Sequence, residues 1–531
     1  MRKWIWRVFV FAGFVSLCGV LHAGDWPQWR GPSRDGVALE SPALVEGFGE
    51  DGPVKLWTSE AIPGEKAGGY GCVSVAGGRA YVLVNRNYHH PVPERRINKS
   101  RLVRQGYRAD MPAEFVKLVE AARVSEARLK VRQRNAVRRW GTAWLKANIK
   151  PEWQKYQQAG LDRLVAGRNA LSLEVLAKLD SVKDKTFADQ AELDAWFKSN
   201  GVDEGSVKRI TGRNGLIVST TPRGADAVYC LNAESGETLW KRDLPGYYLD
   251  WPCSSTPTVS GDRVYVLNSE SKVCCLAVED GKLLWQSKFL GRAGHRHNRS
   301  SSVLLVEGKA VVSTEAGLAC LSAESGEVLW RQARVRSEAS SAVAWESDGK
   351  TRLLCSGSSK VTCVDVKGGE PEWWVRSRSE STPVVSGGWL VYAGGSGTGQ
   401  AACKLGSGKP EEVWKVPLND AFSSPVVHEG YVYVMGERGR LLCIELAGGK
   451  VAWEERLSPG VGDHSSPVVA DGKLIIVAGP MLYLVKATPE RFTLLGRARV
   501  GATKWTSPAV ADGRVFLRTN GAVVCYDLRK K

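Results

Sequence analysis

Leu231-Asn232-Ala233-Glu234-Ser235-Gly236-Glu237-Thr238-Leu239-Trp240 decides how this chain is read, because the pattern returns. Leu276 to Trp285 reads LAVEDGKLLW, Leu321 to Trp330 reads LSAESGEVLW, and looser copies end at Trp373, Trp414 and Trp453. Each copy is an apolar strand, a polar turn closed by Gly, and a second strand ending in Trp. Gly supplies the positive φ of a tight hairpin, and Trp supplies a large apolar plate. Successive Trp positions lie 45, 45, 43, 41 and 39 residues apart. A period in the low forties, with four strands per unit, reads as a β-propeller.

Outward from these hairpins, every unit opens with a small-residue pair, an apolar strand, a Gly turn and a second strand. The pairs are Gly71-Cys72, Ser255-Thr256, Ser301-Ser302, Ser340-Ser341, Ser381-Thr382, Ser423-Ser424, Ser465-Ser466 and Thr506-Ser507. Eight starts predict an all-β, eight-bladed propeller. The last unit runs out of chain after Val523 to Leu528, three strands in. Leu56-Trp57, a lone strand ending in Trp, is expected to be its fourth strand, tying the chain ends together. Trp57, Trp240, Trp285, Trp330, Trp373, Trp414 and Trp453 are therefore the structural repeat positions. The seventh unit carries Phe492 to Leu495 where a Trp is expected.

One blade is interrupted. Its second strand is read at Ala80 to Val84 and its third at Ala227 to Leu231, with far too much chain between them for a loop. The composition there turns to helix formers. After Asp110 and Pro112, the residues Phe115, Val119, Ala122 and Leu129 run down one face, and Pro151 to Ala166 and Ser172 to Leu179 read as further helices. Thr186 is expected to cap Phe187 to Lys198, which ends at Asn200-Gly201. The domain reading is a signal peptide over 1–23, the closing strand and start of blade one over 24–84, a mostly helical insertion over 85–225, and the rest of the propeller over 226–531. The insertion joins a second strand to a third, so it is expected on the face where the inner strands begin.

The first 23 residues read as a secretory signal: Arg2, Lys3 and Arg7 are basic, Val8 to Leu21 is apolar, and Leu21-His22-Ala23 precedes Gly24. An uncleaved anchor is the competing reading. Lipidation at Cys18 is not expected, because Leu17 stands where a lipobox needs a small residue. An exported protein of the periplasm or cell envelope follows. Net charge is +17, and Glu94 to Gly212 holds 25 Lys and Arg against 15 Asp and Glu. In an exported chain such a basic segment favours an anionic envelope polymer or a membrane surface over nucleic acid. Solvated helix faces explain it equally simply.

Seven of the cysteines, Cys230, Cys275, Cys320, Cys363, Cys403, Cys443 and Cys525, occupy one repeat position, and Tyr483 fills the remaining slot. Adjacent blades lie on the order of 10 Å apart, beyond disulfide reach. These thiols are expected to be small buried hydrophobes.

The AxxxGxxxW hairpins resemble the pyrroloquinoline-quinone-like (PQQ-like) repeat, and the Trp26 to Gly31 opening resembles exported bacterial proteins carrying such propellers. The resemblance covers roughly residues 25–84 and 225–531. It implies either a non-catalytic propeller, such as the propeller subunit of the outer-membrane β-barrel assembly machinery, or a quinoprotein dehydrogenase. The latter holds a quinone and Ca²⁺ in its central funnel, with an Asp base and a vicinal Cys pair beside the cofactor.

Cys274-Cys275 is the residue pair that the quinoprotein resemblance singles out. Inside a third strand, however, neighbours point to opposite faces, and Cys275 is already a repeat cysteine. His295 and His297 alternate toward one side with no third ligand near in sequence, and His89-His90 has no evident partner. Neither CxxCH nor GxSxG occurs. No catalytic or metal residue is assigned, and no cofactor is expected.

The residues just ahead of each inner strand ring the channel mouth: Tyr70, Trp251, Arg299, Glu338, Glu380, Phe422, His464 and Trp505, with Asp463 and Lys504 beside them. Tyr70, Trp251, Arg299, His464 and Trp505 are the candidate ligand-binding set, since aromatics with mixed charge suit a binding funnel. Ordinary channel lining accounts for the same residues. The expected function is a binding or scaffolding propeller acting as a monomer on a protein or an anionic envelope polymer. The alternatives are a PQQ-dependent oxidoreductase of alcohols or sugars and a polysaccharide binder.

Overall fold

The computed structural model describes residues 24–49, 51–212, 215–292, 300–337, 339–357, 359–377, 379–394, 399–418, 422–457, 465–503 and 505–531. The signal segment, the His295-Arg296-His297 motif, and Arg299, Glu338, Asp463, His464 and Lys504 lie outside them. The chain divides into two compact units, Met1–Tyr88 with Arg223–Lys531, and His89–Pro222. Among the described residues, no helix is long and apolar enough to cross a membrane.

The first unit is built from eight antiparallel sheets. Their innermost strands are Ser74–Ala76, Thr258–Ser260, Leu304–Val306, Val343–Ser347, Val384–Ser386, Val426–His428, Val468–Ala470 and Ala509–Ala511. They define blades one to eight. Val54–Thr58 pairs antiparallel with Val523–Asp527, setting Trp57 opposite Cys525. The lone N-terminal strand is thus the fourth strand of blade eight, the closure that the strand count predicts.

A ring of hydrogen bonds encircles the axis at the start of the inner strands. The second residue of each small pair uses its backbone N–H to reach the side chain of its counterpart in the next blade. Cys72 N–H donates to Thr256 Oγ1 (3.1 Å), Thr256 to Ser302 Oγ (2.9 Å), Ser302 to Ser341 Oγ (2.9 Å) and Ser341 to Thr382 Oγ1 (3.3 Å). Thr382 donates to Ser424 Oγ (3.0 Å), Ser424 to Ser466 Oγ (2.9 Å), Ser466 to Ser507 Oγ (2.8 Å), and Ser507 closes on Cys72 Sγ (3.2 Å). The recurrent Ser/Thr has a physical cause here. Crowded inner strands leave buried N–H groups facing a neighbouring blade, and a short hydroxyl satisfies each one.

At the periphery the repeat glycine has a second duty. Gly236 adopts φ +77°, and the Trp57 ring occupies the space a Cβ would need. Gly281 is covered the same way by Trp240, 2.5 Å from where its Cβ would sit. Trp57 donates its indole N–H to Ala233 O (3.0 Å), Trp240 to Val278 O (2.9 Å), Trp330 to Val366 O (3.1 Å) and Trp453 to Thr488 O (2.7 Å). Each of these four Trp side chains therefore ties its blade to the hairpin of the next. In blade seven, where the Trp is missing, Phe492 packs on Trp453 with centroids 5.7 Å apart.

The seven repeat cysteines are buried free thiols, each lying in an interblade apolar layer. Burial pushes Cys230 up to about 11 and Cys320 up to about 12, so neither is a thiolate at neutral pH. Alkylation of the native protein should leave all seven unmodified, and alkylation under denaturing, non-reducing conditions should label all seven. A disulfide among them in the mass spectrum would overturn this packing account.

The unit His89–Pro222 is mostly helical, with two apolar cores. One gathers Phe115, Val119, Leu145, Trp153, Tyr156 and Leu164, and the other Leu176, Leu179, Phe187, Leu193, Phe197 and Ile210. Three sequence readings need correction. The face expected from Phe115 to Leu129 is split: Ala113–Arg123 ends, and Ser125 caps a separate helix, Glu126–Lys130, by accepting from Arg128 N–H (3.3 Å). Thr186 is not a cap; Thr186–Phe187 is a short strand paired with Arg95 and Arg96. The helix Gln190–Ser199 is instead capped by Asp189, which accepts from Glu192 N–H (2.9 Å) while Glu192 accepts from Ala188 N–H (2.6 Å). The two strands that flank the insertion are also longer than read. Arg79–Ile97 and Ile217–Asn232 run on well past the expected Val84 and Ala227.

Candidate functional site

The opening segment, DWPQWRGPSRDG, fills the axis of the propeller. Its backbone bonds to three inner strands and, through the preceding Gly24, to the turn after a fourth. Trp26 exchanges both bonds with Val75 (2.8 Å each), Pro27 O accepts from Val259 N–H (2.8 Å), Gly36 O accepts from Val469 N–H (2.9 Å), and Gly24 O accepts from Asp512 N–H (3.0 Å). Side chains reach the other four blades. Arg34 donates to Ser302 O (3.4 Å), to Val303 O and to Ala342 O (2.9 Å); Arg30 donates to Ser424 O (3.2 Å) and Pro425 O; Trp29 donates to Thr382 Oγ1 (3.0 Å). This short segment touches all eight blades.

Both guanidinium groups are buried, each 2 % exposed. Burial pulls Arg30 down to about 10 and Arg34 to about 9, which leaves both charged at neutral pH. They satisfy inward carbonyls that no strand neighbour could reach, as a forked donor can. Arg518, on the second strand of blade eight, does the same toward blade one and the segment leading into it, donating to Gly71 O (3.2 Å), Leu83 O (3.0 Å), Pro63 O (2.8 Å) and Gly68 O (2.6 Å). Composition alone did not single these residues out. The available signal was two arginines amid turn-forming Pro, Gly, Ser and Asp.

Above this hub lies a cavity of about 690 Å³ lined by Trp29, Tyr70, Trp251, Glu380, Phe422 and Trp505 together with ring residues such as Ser302 and Thr382. The hub residue Trp29 and the hydrogen-bonded ring form its floor, and the residues preceding the inner strands form its wall. The space is a dead end. Trp505 is central to the wall: its ring lies 4.5 Å from Tyr70 and 5.1 Å from Trp251, tilted by 50° and 43°. Trp251 and Phe422 keep 39 % and 42 % of their surface exposed. The structure thus brings Tyr70, Trp251 and Trp505 of the candidate set together, and adds Trp29, Glu380 and Phe422. Arg299 and His464 lie outside the described residues.

Glu380 is the carboxylate of the described lining, and it is already engaged. Its Oε2 accepts from Ser337 Oγ (2.5 Å) and Ala339 N–H (3.3 Å). A fully buried acid, Asp226, lies between blades one and two. It accepts from Asn85 Nδ2 (2.7 Å), Ser269 N–H (2.7 Å) and Ser269 Oγ (2.8 Å), and burial pushes its carboxyl up to about 7.

A quinone with Ca²⁺ would require several oxygen donors converging in this cavity, because the ion takes about six to eight. Within the described lining, one engaged carboxylate among Ser and Thr hydroxyls does not supply that set. Nor does the vicinal pair sit beside the cavity: Cys274 and Cys275 are both in a third strand, in two different interblade cores. Burial raises them to about 12 and about 11. Among the described residues, no group of three or more His, Cys, Asp or Glu could hold a metal ion.

The chain matches the PQQ_2 family, described as outer membrane protein assembly factor BamB, over residues 194–394 and 405–529. No curated protein matches. BamB from Moraxella catarrhalis is similar in structure at 18 % identity and a TM-score of 0.47, covering 56 % of this chain and 88 % of that one. Quinohemoprotein alcohol dehydrogenase from Comamonas testosteroni is similar at 14 % identity and a TM-score of 0.41, covering 59 % and 74 %.

Proposed function

Because the chain belongs to the PQQ-like repeat family described as outer membrane protein assembly factor BamB, we propose that it is an exported, non-catalytic binding or scaffolding propeller that takes its ligand or partner at the funnel. The family description supports a working place in the cell envelope and a protein partner in general. One observation carries the reading: the funnel is a closed cup with an aromatic wall and hydroxyls at its base, without a described set of groups poised for chemistry. Such a lining recognises and orients; its one described carboxylate is held by Ser337 and Ala339.

The test is direct. Mature protein mixed with PQQ and Ca²⁺ should give no saturable heat in a calorimeter, and should reduce no dye with alcohols or sugars as electron donors. Saturable quinone binding accompanied by dye reduction would replace this reading with an oxidoreductase.

A further inference from the structure

Resting on the funnel reading above, we propose that the cup binds the terminal sugar of a neutral glycan, stacked on Trp251 and Trp505. The argument begins with shape. The hub seals the channel, so a ligand can enter but cannot thread through, and a polymer can offer only its end. Trp29 stands at the base with its indole N–H committed to Thr382 Oγ1 (3.0 Å), which fixes the floor.

The chemistry of the wall points to a pyranose. A sugar ring presents polarised C–H bonds on one face and hydroxyls around its rim. An aromatic face is electron-rich and takes such C–H groups without desolvating a charge. Trp251 is tilted against Trp505 and keeps 39 % of its surface exposed, so a contiguous aromatic platform is presented at the entrance. Phe422 supplies a further exposed ring in the same wall. Deeper in, Ser302 Oγ already accepts from the ring and Thr382 Oγ1 accepts from the ring and from Trp29, so each keeps its O–H to donate, while Ser254 adds a hydroxyl and Glu380 carboxylate oxygens. An apolar ligand would make no use of the Ser302 and Thr382 O–H donors at the base, and a flat protein surface could not reach them. Aromatic platform above, mixed donors and acceptors below, and a blind end together select a sugar terminus.

The experiment uses the full mature protein with chitotriose, maltotriose and cellotriose as probes, followed by calorimetry and tryptophan fluorescence. At least one linear glycan should bind in the millimolar range or tighter and quench the fluorescence. Trp251→Ala should weaken that binding by about tenfold or more, the scale of losing one aromatic stack. Phe422→Ala provides a second wall variant, and the melting temperature of each reports whether the fold survived. Trp374→Ala, an exposed Trp on an outer strand of blade four, should leave binding unchanged. A cyclic glucan, which has no end, should fail to compete. If no linear glycan binds while the quinone assay stays silent, the sugar class is overturned and the binding reading stands. Competition by the cyclic glucan, or wild-type affinity in both wall variants, overturns the end-on stack. Sugar-dependent dye reduction in the presence of quinone overturns the non-catalytic reading instead.

Discussion

Arg34→Met should destabilise the propeller by about 3–5 kcal/mol, with Arg34→Lys recovering little of the loss. Arg34 is 2 % exposed and donates to Gln28 Oε1 (2.8 Å), Ala342 O (2.9 Å), Ser302 O (3.4 Å) and Val303 O. Met fills similar volume but removes the donor to Ala342 O and Ser302 O, while Val303 O keeps the Thr258 Oγ1 hydroxyl (2.6 Å). Each such group costs roughly 1–3 kcal/mol, and local relaxation recovers part of the sum. Lys keeps the charge but lacks the planar fork that spans blades three and four at once. Urea titration followed by intrinsic fluorescence checks the prediction, read as a midpoint because an array of blades need not unfold in two states. Arg242→Met, at an exposed position on an outer strand, is the reference and should stay within about 0.5 kcal/mol of wild type. Equal midpoints for the two variants would show that the hub carries no stability.

The contrast between Arg34 and Trp240 explains what could be read in the chain before its structure. Trp240 belongs to a hairpin whose partners are near in sequence and whose pattern recurs, so period and spacing expose both fold and closure. The ring of Ser and Thr side chains was visible as a repeated pair, though its purpose was not, since each bond joins residues about one blade apart. Arg34 has partners 268 and 308 residues away and occurs once, so nothing local announces them. The funnel wall was half legible for the same reason. Tyr70 and Trp505 stand directly before a small pair and Trp251 four residues before one, whereas Trp29 enters the cup from the hub. In the helical unit the misplaced cap at Thr186 came from treating propensity as decisive. The strand Thr186–Phe187 buries Phe187 in an apolar core, and Asp189 with Glu192 makes the reciprocal cap three residues later in the chain.

Trp57→Ala should cost about 3–5 kcal/mol, at least as much as Trp285→Ala. Both residues clamp the hairpin of a following blade, Trp57 over Gly236 and Trp285 over Gly326. The difference lies in what each joint holds. Trp285 connects blades two and three, which are already consecutive in the chain. Trp57 lies on the strand that completes blade eight, meets Phe516 edge-on at 5.8 Å and donates to Ala233 O of blade one (3.0 Å). It therefore links the last blade to the first, where no local connection substitutes. Losing it removes a large buried plate and frees an N-terminal strand whose departure would expose the Val523–Asp527 edge. Native-state hydrogen exchange distinguishes this from simple loss of packing: amides of Val523 to Asp527 should exchange much faster in Trp57→Ala than in Trp285→Ala at matched global stability. Equal protection in the two variants would mean that the ring is held shut by the axial hub and the Ser/Thr ring alone, with the N-terminal strand a passenger on blade eight.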